Sequence, residues 1–83
     1  MIADRQGQVR VRAGFNGTIE FRVKPGDRVY PGRALVVVEG EREVETFSAR
    51  NPGTVMELCA PDGSDVEKGA LLVVLDEDPP QVG

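Results

Sequence analysis

The feature that most constrains the fold of this chain is an internal repeat. Gly17-Thr18-Ile19 recurs 36 residues later as Gly53-Thr54-Val55. After one inserted residue the match continues at an offset of 37, where Leu35–Val38 corresponds to Leu72–Leu75. One such short unit exposes half of a hydrophobic core, so two units must bury their apolar faces against each other. The repeat therefore predicts two similar halves related by a pseudo-twofold axis.

A chain of 83 residues has room for one small domain. We predict that domain at residues 8–77, with halves at about 9–40 and 44–77. Residues 1–7 and 78–83 lack an alternating apolar pattern, and we expect them to be loosely held tails.

Within each unit, apolar residues recur with the period of two that is typical of half-buried strands. Ile19, Phe21 and Val23 alternate with charged residues, and a Pro-Gly turn follows at Pro25. We interpret each unit as strand, turn, short strand, turn, strand. Ten glycines and six prolines interrupt the chain too often for long helices. The pattern predicts an all-β flattened barrel or sandwich.

The composition argues against several classes of function. A net charge of −4 and only three Phe and one Tyr argue against nucleic-acid binding. The absence of His and the presence of a single Cys argue against a metal site. The apolar runs are too short to span a bilayer, and Met1–Gly7 has no apolar signal segment, so we expect no membrane association and a cytoplasmic location.

The sequence also contains few of the side chains that an enzyme active site needs. The candidate nucleophiles are Cys59, Ser48 and Ser64, and no His is available to activate them. The carboxylates of Asp76-Glu77-Asp78 are interpreted as part of a solvated tail. We therefore predict no catalytic residues and no enzymatic activity.

Charge is distributed unevenly along the chain. Residues 1–33 carry a formal charge of +4, and residues 34–83 carry −8. Solvated strand faces would explain this, and so would a bipolar surface that orients a partner. The sequence favours the first explanation, because charge runs usually mark exposed faces.

The order of these motifs resembles the biotinyl/lipoyl attachment domains, the carriers of 2-oxo acid dehydrogenases and biotin carboxylases. Leu35–Arg42 resembles the lipoyl-type hairpin, and Gly53–Leu58 resembles the strand that follows it in that family. The resemblance covers residues 9–77. It implies a barrel-sandwich hybrid of two four-stranded sheets, with a modified lysine on an exposed hairpin opposite the chain termini.

The chain departs from this family at the acceptor position, which is occupied by Arg42. A guanidinium stays protonated and delocalised, so it cannot form the amide through which lipoyl or biotin is attached. We therefore expect no cofactor unless an acceptor lysine is restored. By the geometry of the family, Lys24 and Lys68 would be away from the acceptor position. The acidic Glu41 before Arg42 favours the lipoyl branch.

The first functional hypothesis is a non-enzymatic domain without an acceptor lysine that binds a protein or supports assembly. Its contact hairpin would comprise Glu39, Gly40, Glu41, Arg42 and Glu43, and its partners would be subunits of a dehydrogenase or carboxylase complex. The alternative is a carrier domain of such a complex whose acceptor lysine has been replaced by Arg42. For Arg42 itself, a surface ion pair with Glu41 or Glu43 is favoured over a specific ligand. The sequence does not fix the oligomeric state.

Overall fold

The computed structural model describes residues 7–79, which form eight β-strands and no helix. In chain order the strands are β1 (Gln8–Arg12), β2 (Gly17–Phe21), β3 (Arg28–Val29), β4 (Ala34–Glu39), β5 (Val44–Ser48), β6 (Gly53–Leu58), β7 (Asp65–Val66) and β8 (Leu71–Glu77). All the strand pairs are antiparallel. The described residues contain no helix that could span a membrane.

The strands form two four-stranded sheets, which confirms the predicted fold class. One sheet has the order β1-β8-β6-β3, and the other has the order β5-β4-β2-β7. Adding four to each strand number, and counting on from β8 to β1, converts one order into the other. The two sheets are therefore equivalent under the pseudo-twofold relation. Each sheet takes two strands from each half of the chain. The halves are therefore interleaved, and neither half forms a sheet of its own.

Backbone hydrogen bonds between the halves come in matched pairs. Ile19 N donates to Ser64 O at 3.0 Å, and the equivalent Val55 N donates to Asp27 O at 2.9 Å. The two equivalent turns also share a backbone conformation, since Gly26 has φ of 90° and Gly63 has φ of 82°. This left-handed region carries a steric penalty for residues with a Cβ atom.

The repeating unit has one strand more than the sequence pattern indicated. β1 and β5 are equivalent. Each is followed by a buried alanine whose backbone N–H donates to the loop before β8 or β4, the last strand of a unit. Ala13 N donates to Ala70 O at 2.9 Å, and Ala49 N donates to Arg33 O at 2.8 Å. The sequence does not indicate that β1 and β5 are equivalent, because β5 is polar and exposed. Only Ala13 and Ala49, and the glycines four residues after them, match between the two segments.

The core lies between the sheets and is supplied mainly by the four central strands. These are β2, β4, β6 and β8, and their fully buried side chains include Ile19, Leu35, Val36, Val38, Val55, Leu72 and Val73. In the part of the chain that the structure describes, no buried residue is polar or charged. Burial of apolar surface therefore stabilises the interleaved sheets.

Two equivalent glycines permit close approach of the backbone at the ends of the sheets. A Cβ atom on Gly17 would lie 2.6 Å from Glu39 O, and one on Gly53 would lie 2.6 Å from Asp76 O. Both contacts involve backbone atoms, which cannot move aside without disturbing a central strand.

The predicted tails lie mainly outside the described residues, but the structure corrects their inner ends. Glu77 N donates to Gly7 O at 2.7 Å, and Asp78 N donates to Pro52 O at 2.9 Å. The Asp78 carboxylate also accepts two hydrogen bonds from the guanidinium of Arg28. Gly7 and Asp78 therefore belong to the folded unit, because contacts with distant strands hold them where the local pattern has ended.

The Arg28 pair affects the ionisation of Asp78. The hydrogen bonds from Arg28 lower the pKa of the Asp78 carboxyl, and those to Asp78 raise the pKa of Arg28. Arg28 also lies over the ring of Tyr30, 5.5 Å from its centroid. The ionised form of Asp78 is therefore favoured in the folded state.

We expect Gly17→Ala and Gly53→Ala to lower the free energy of unfolding by similar amounts, about 2–3 kcal/mol each, because each methyl group meets an equivalent carbonyl. Urea denaturation followed by circular dichroism measures this. Glu41→Ala, at an exposed position, is the control and should change stability by less than about 0.5 kcal/mol. Equal stability of all three variants would contradict the close approach.

We expect Asp78→Asn to lower the urea midpoint at neutral pH but not at low pH. The folded-state pKa of Asp78 is lowered, so its contribution is present above the unfolded pKa of about 3.9 and is lost as the pH falls through the folded value. Urea titrations of wild type and variant across this range measure the difference. A difference that persists at the acid end would argue against the ion pair as its source.

Candidate functional site

The hairpin between β4 and β5 has the geometry expected from the sequence. β4 ends at Glu39, which is paired with Val44 at the start of β5. Between them, Gly40 N donates to Glu43 O at 2.8 Å and closes the turn. Arg42 lies at this tip and is exposed to solvent.

The base of the hairpin is fixed against the segment between β1 and β2. A Cβ atom on Gly40 would lie 2.9 Å from Cδ1 of Phe15 and 3.0 Å from Asn16 O. Phe15 itself packs partly buried against the core. The absence of a side chain at Gly40 therefore lets the hairpin contact the body of the domain, while Glu41, Arg42 and Glu43 stay exposed.

The hairpin tip and the ends of the described chain occupy equivalent positions. The bond from Gly40 N to Glu43 O corresponds to the bond from Glu77 N to Gly7 O in the other half. Strand β1 starts beside Gly7 and leads to the segment that packs against the hairpin base. The hairpin therefore lies across the pseudo-twofold axis from the ends of the described chain.

An open groove of about 1000 Å³ lies beside the hairpin. One wall is the hairpin itself, and the other includes Asn16, Thr18, Asp65 and Lys68. Thr18 Oγ1 donates to Asp65 Oδ1 at 2.8 Å, and Lys68 N donates to Asn16 Oδ1 at 2.8 Å. These two bonds hold the loops around β7 against the start of β2.

The position of Lys68 corrects one expectation. Lys68 lines the same groove as Arg42, although the geometry of the family placed it away from the acceptor position. The loop that carries Lys68 reaches the hairpin because Asn16 binds its backbone, a contact between residues 52 positions apart. Lys24 lines a different pocket.

The expected ion pair of Arg42 with Glu41 or Glu43 is absent. Across residues 7–79, no salt bridge or side-chain hydrogen bond involves Arg42. Glu39, Glu41 and Glu43 also form no salt bridge within that range. Among residues 7–79, the tip therefore presents an unpaired guanidinium beside exposed carboxylates.

The groups considered as nucleophiles are not arranged for catalysis. Cys59 follows the end of β6, and its partial burial, assisted by Glu57, raises the pKa of its thiol. This disfavours the reactive thiolate. Ser64 Oγ donates to Pro61 O at 2.6 Å within its own turn. No cluster of three or more metal-binding side chains occurs among the described residues.

The sequence matches a protein family and curated proteins of two kinds. The biotin/lipoyl family model, described as "Biotin-requiring enzyme", matches residues 7–75. The dihydrolipoyllysine-residue acetyltransferase component of the pyruvate dehydrogenase complex of Acholeplasma laidlawii is 31% identical over 62 residues, covering 74% of this chain and 11% of that protein. The biotin carboxyl carrier protein of acetyl-CoA carboxylase 2 of Arabidopsis thaliana, a chloroplastic protein, is 36% identical over 53 residues, covering 64% and 21%. The chain thus spans a small part of the length of these relatives.

Solved structures show the same fold. A single-chain, multi-domain long-chain acyl-CoA carboxylase aligns with a TM-score of 0.78 at 21% identity, covering 96% of this chain and 8% of that one. The urea carboxylase of Kluyveromyces lactis aligns with a TM-score of 0.71 at 20% identity, covering 89% and 7%.

We expect Arg42→Ala to leave the urea midpoint unchanged, because the side chain has no partner in the described structure. Arg28→Ala is the matched comparison and should lower the midpoint, because it removes the bonds to Asp78. Urea denaturation of both variants at neutral pH measures this. If Arg42→Ala destabilised the domain as much as Arg28→Ala, the tip guanidinium would have a structural role after all.

Proposed function

This chain belongs to the biotin/lipoyl domain family, and we propose from this premise that it binds a protein partner without carrying a covalent group. Domains of this family are carriers of biotin or lipoyl groups and are not catalysts. This agrees with the prediction that the chain is not an enzyme. The proposal concerns what the hairpin does in a chain whose tip holds an arginine.

The observation that carries the proposal is Arg42 at the hairpin tip. Attachment of biotin or lipoyl requires an uncharged amine nucleophile, and a guanidinium stays protonated at physiological pH. The two lysines, Lys24 and Lys68, are outside the hairpin. The side chains of the tip therefore do not fit a covalently attached group, and no reaction step is assigned to one.

The electrostatics of the tip favour contact with another protein. Carboxylates of Glu39, Glu41 and Glu43 surround a guanidinium that can bind a carboxylate or phosphate in bidentate geometry. A partner that offers basic side chains around one acidic group would complement this pattern. The complexes named for the relatives point to subunits of a dehydrogenase or carboxylase complex as partners. The cytoplasm remains the predicted compartment.

The alternative is a carrier domain whose acceptor lysine has been replaced. Its support is that the hairpin keeps an exposed tip on a rigid base, with Gly40 packed against Phe15. The relatives named for lipoyl and biotin chemistry also support it. In this case the ligases that modify such domains would still accept the surface once a lysine is present.

We expect the natively expressed protein to have the mass of the unmodified chain, because no lysine stands at the tip. Intact-protein mass spectrometry measures this, and peptide mapping would locate any added group. A biotinyl or lipoyl group on Lys24 or Lys68 would overturn the proposal.

The variant Arg42→Lys distinguishes the two hypotheses. Incubation with biotin ligase or lipoyl ligase would add a fixed mass to a surviving carrier, and wild type is the control. A folded Arg42→Lys protein that neither ligase modifies would count against the alternative, since the surface would no longer be that of a carrier substrate.

A further inference from the structure

A second pocket, of about 430 Å³, lies on the pseudo-twofold axis, where the segments after β2 and β6 meet. Its lining includes both members of two equivalent pairs, Arg22 with Leu58 and Lys24 with Ala60. Residues related by the axis can border one pocket only if the pocket is on that axis. This pocket is separate from the groove beside the hairpin.

The two sides of the pocket differ in chemistry although their backbones are equivalent. The second half contributes Leu58 and Ala60, which are partly buried against the core. Phe21 and Val23 extend this apolar floor. The first half contributes the cations Arg22, Lys24 and Arg33 and the carboxylate Asp27 to the rim. With Asp62 from the second half, the rim carries three cations and two carboxylates.

The carboxylates at the rim are already engaged by the backbone. Lys24 N donates to Asp27 Oδ2 at 2.8 Å, and Phe21 N donates to Asp62 Oδ1 at 2.8 Å. Neither carboxylate forms a salt bridge with a rim cation within residues 7–79. Within this range Lys24 and Arg33 form no salt bridge, and Arg22 pairs only with Glu20.

One rim cation is held in position, and another is only loosely paired. Arg33 Nη2 donates to Arg22 O at 2.9 Å, which holds its guanidinium beside the segment after β2. Arg22 contacts Glu20 at 3.7 Å, with both side chains about half exposed or more, so solvent screens the pair. An incoming anion can displace this weak contact.

We propose that this pocket binds a small anion with an apolar tail, such as a medium-chain carboxylate. The tail would cover Phe21, Leu58 and Ala60, and the anionic group would bind the rim cations. The volume is within the range of about 300–1,000 Å³ that is usual for ligand pockets. The site goes beyond the proposed function, because it does not involve the hairpin.

Octanoate is the probe for this site, titrated into the ¹⁵N-labelled chain and followed by NMR. We expect saturable shifts centred on the amides of Phe21, Leu58 and Ala60. 1-Octanol has the apolar chain without the negative charge, and sulfate has the negative charge without the chain. We expect both to bind more weakly than octanoate. Binding of either as tightly as octanoate, or shifts that do not saturate, would overturn the proposal.

A pair of double variants tests the cationic rim. Arg22→Gln/Lys24→Gln removes two exposed charges from the rim and should weaken octanoate binding about tenfold. Arg10→Gln/Arg50→Gln removes two exposed charges outside the pocket and should leave the affinity unchanged. Equal affinity of the two double variants would exclude a specific role for the rim. Neither set changes the hairpin, so a negative result here leaves the proposed function standing.

Discussion

The structure depends on the exchange of strands between its two halves. Each sheet is completed by strands of the other half, and matched bonds such as Ile19 N to Ser64 O join them. The exchange brings backbones into contact at the sheet ends, where only glycine fits at positions 17 and 53. In an 83-residue chain with little interior, this arrangement lets both halves share one apolar core.

The same arrangement separates the hairpin tip from the elements that provide stability. The core lies between the central strands, whereas Glu41, Arg42 and Glu43 are exposed beyond the last strand pair. The tip contributes no buried side chain, so its chemistry can change without disturbing the fold. An arginine can therefore stand at this position in a domain that keeps the architecture of its family.

The two halves of the domain differ in chemistry at two places on the surface. Across the axis from the hairpin, the corresponding position is occupied by the ends of the described chain. On the axis itself, the cations Arg22 and Lys24 are opposed by Leu58 and Ala60. The shared core requires halves that pack alike, whereas these exposed positions are free to differ. The relatives include a lipoyl-type and a biotin-type protein, so the preference for the lipoyl branch stays a prediction.

The alternation of apolar residues, the turn residues and the repeat were enough to predict most of the strands, the two-sheet fold and a hairpin around Arg42, because these features arise from short segments. They did not indicate the fourth strand of each unit, because β5 is polar and exposed. Tertiary contacts decided the rest. Lys68 lines the hairpin groove because Asn16, 52 positions away, binds its backbone, and Asp78 is held by Arg28 across 50 positions. Whether Arg42 pairs with its neighbours and which side chains meet on the axis also depend on three-dimensional placement. Period and spacing describe one strand at a time, whereas these contacts join residues that only the folded backbone brings together.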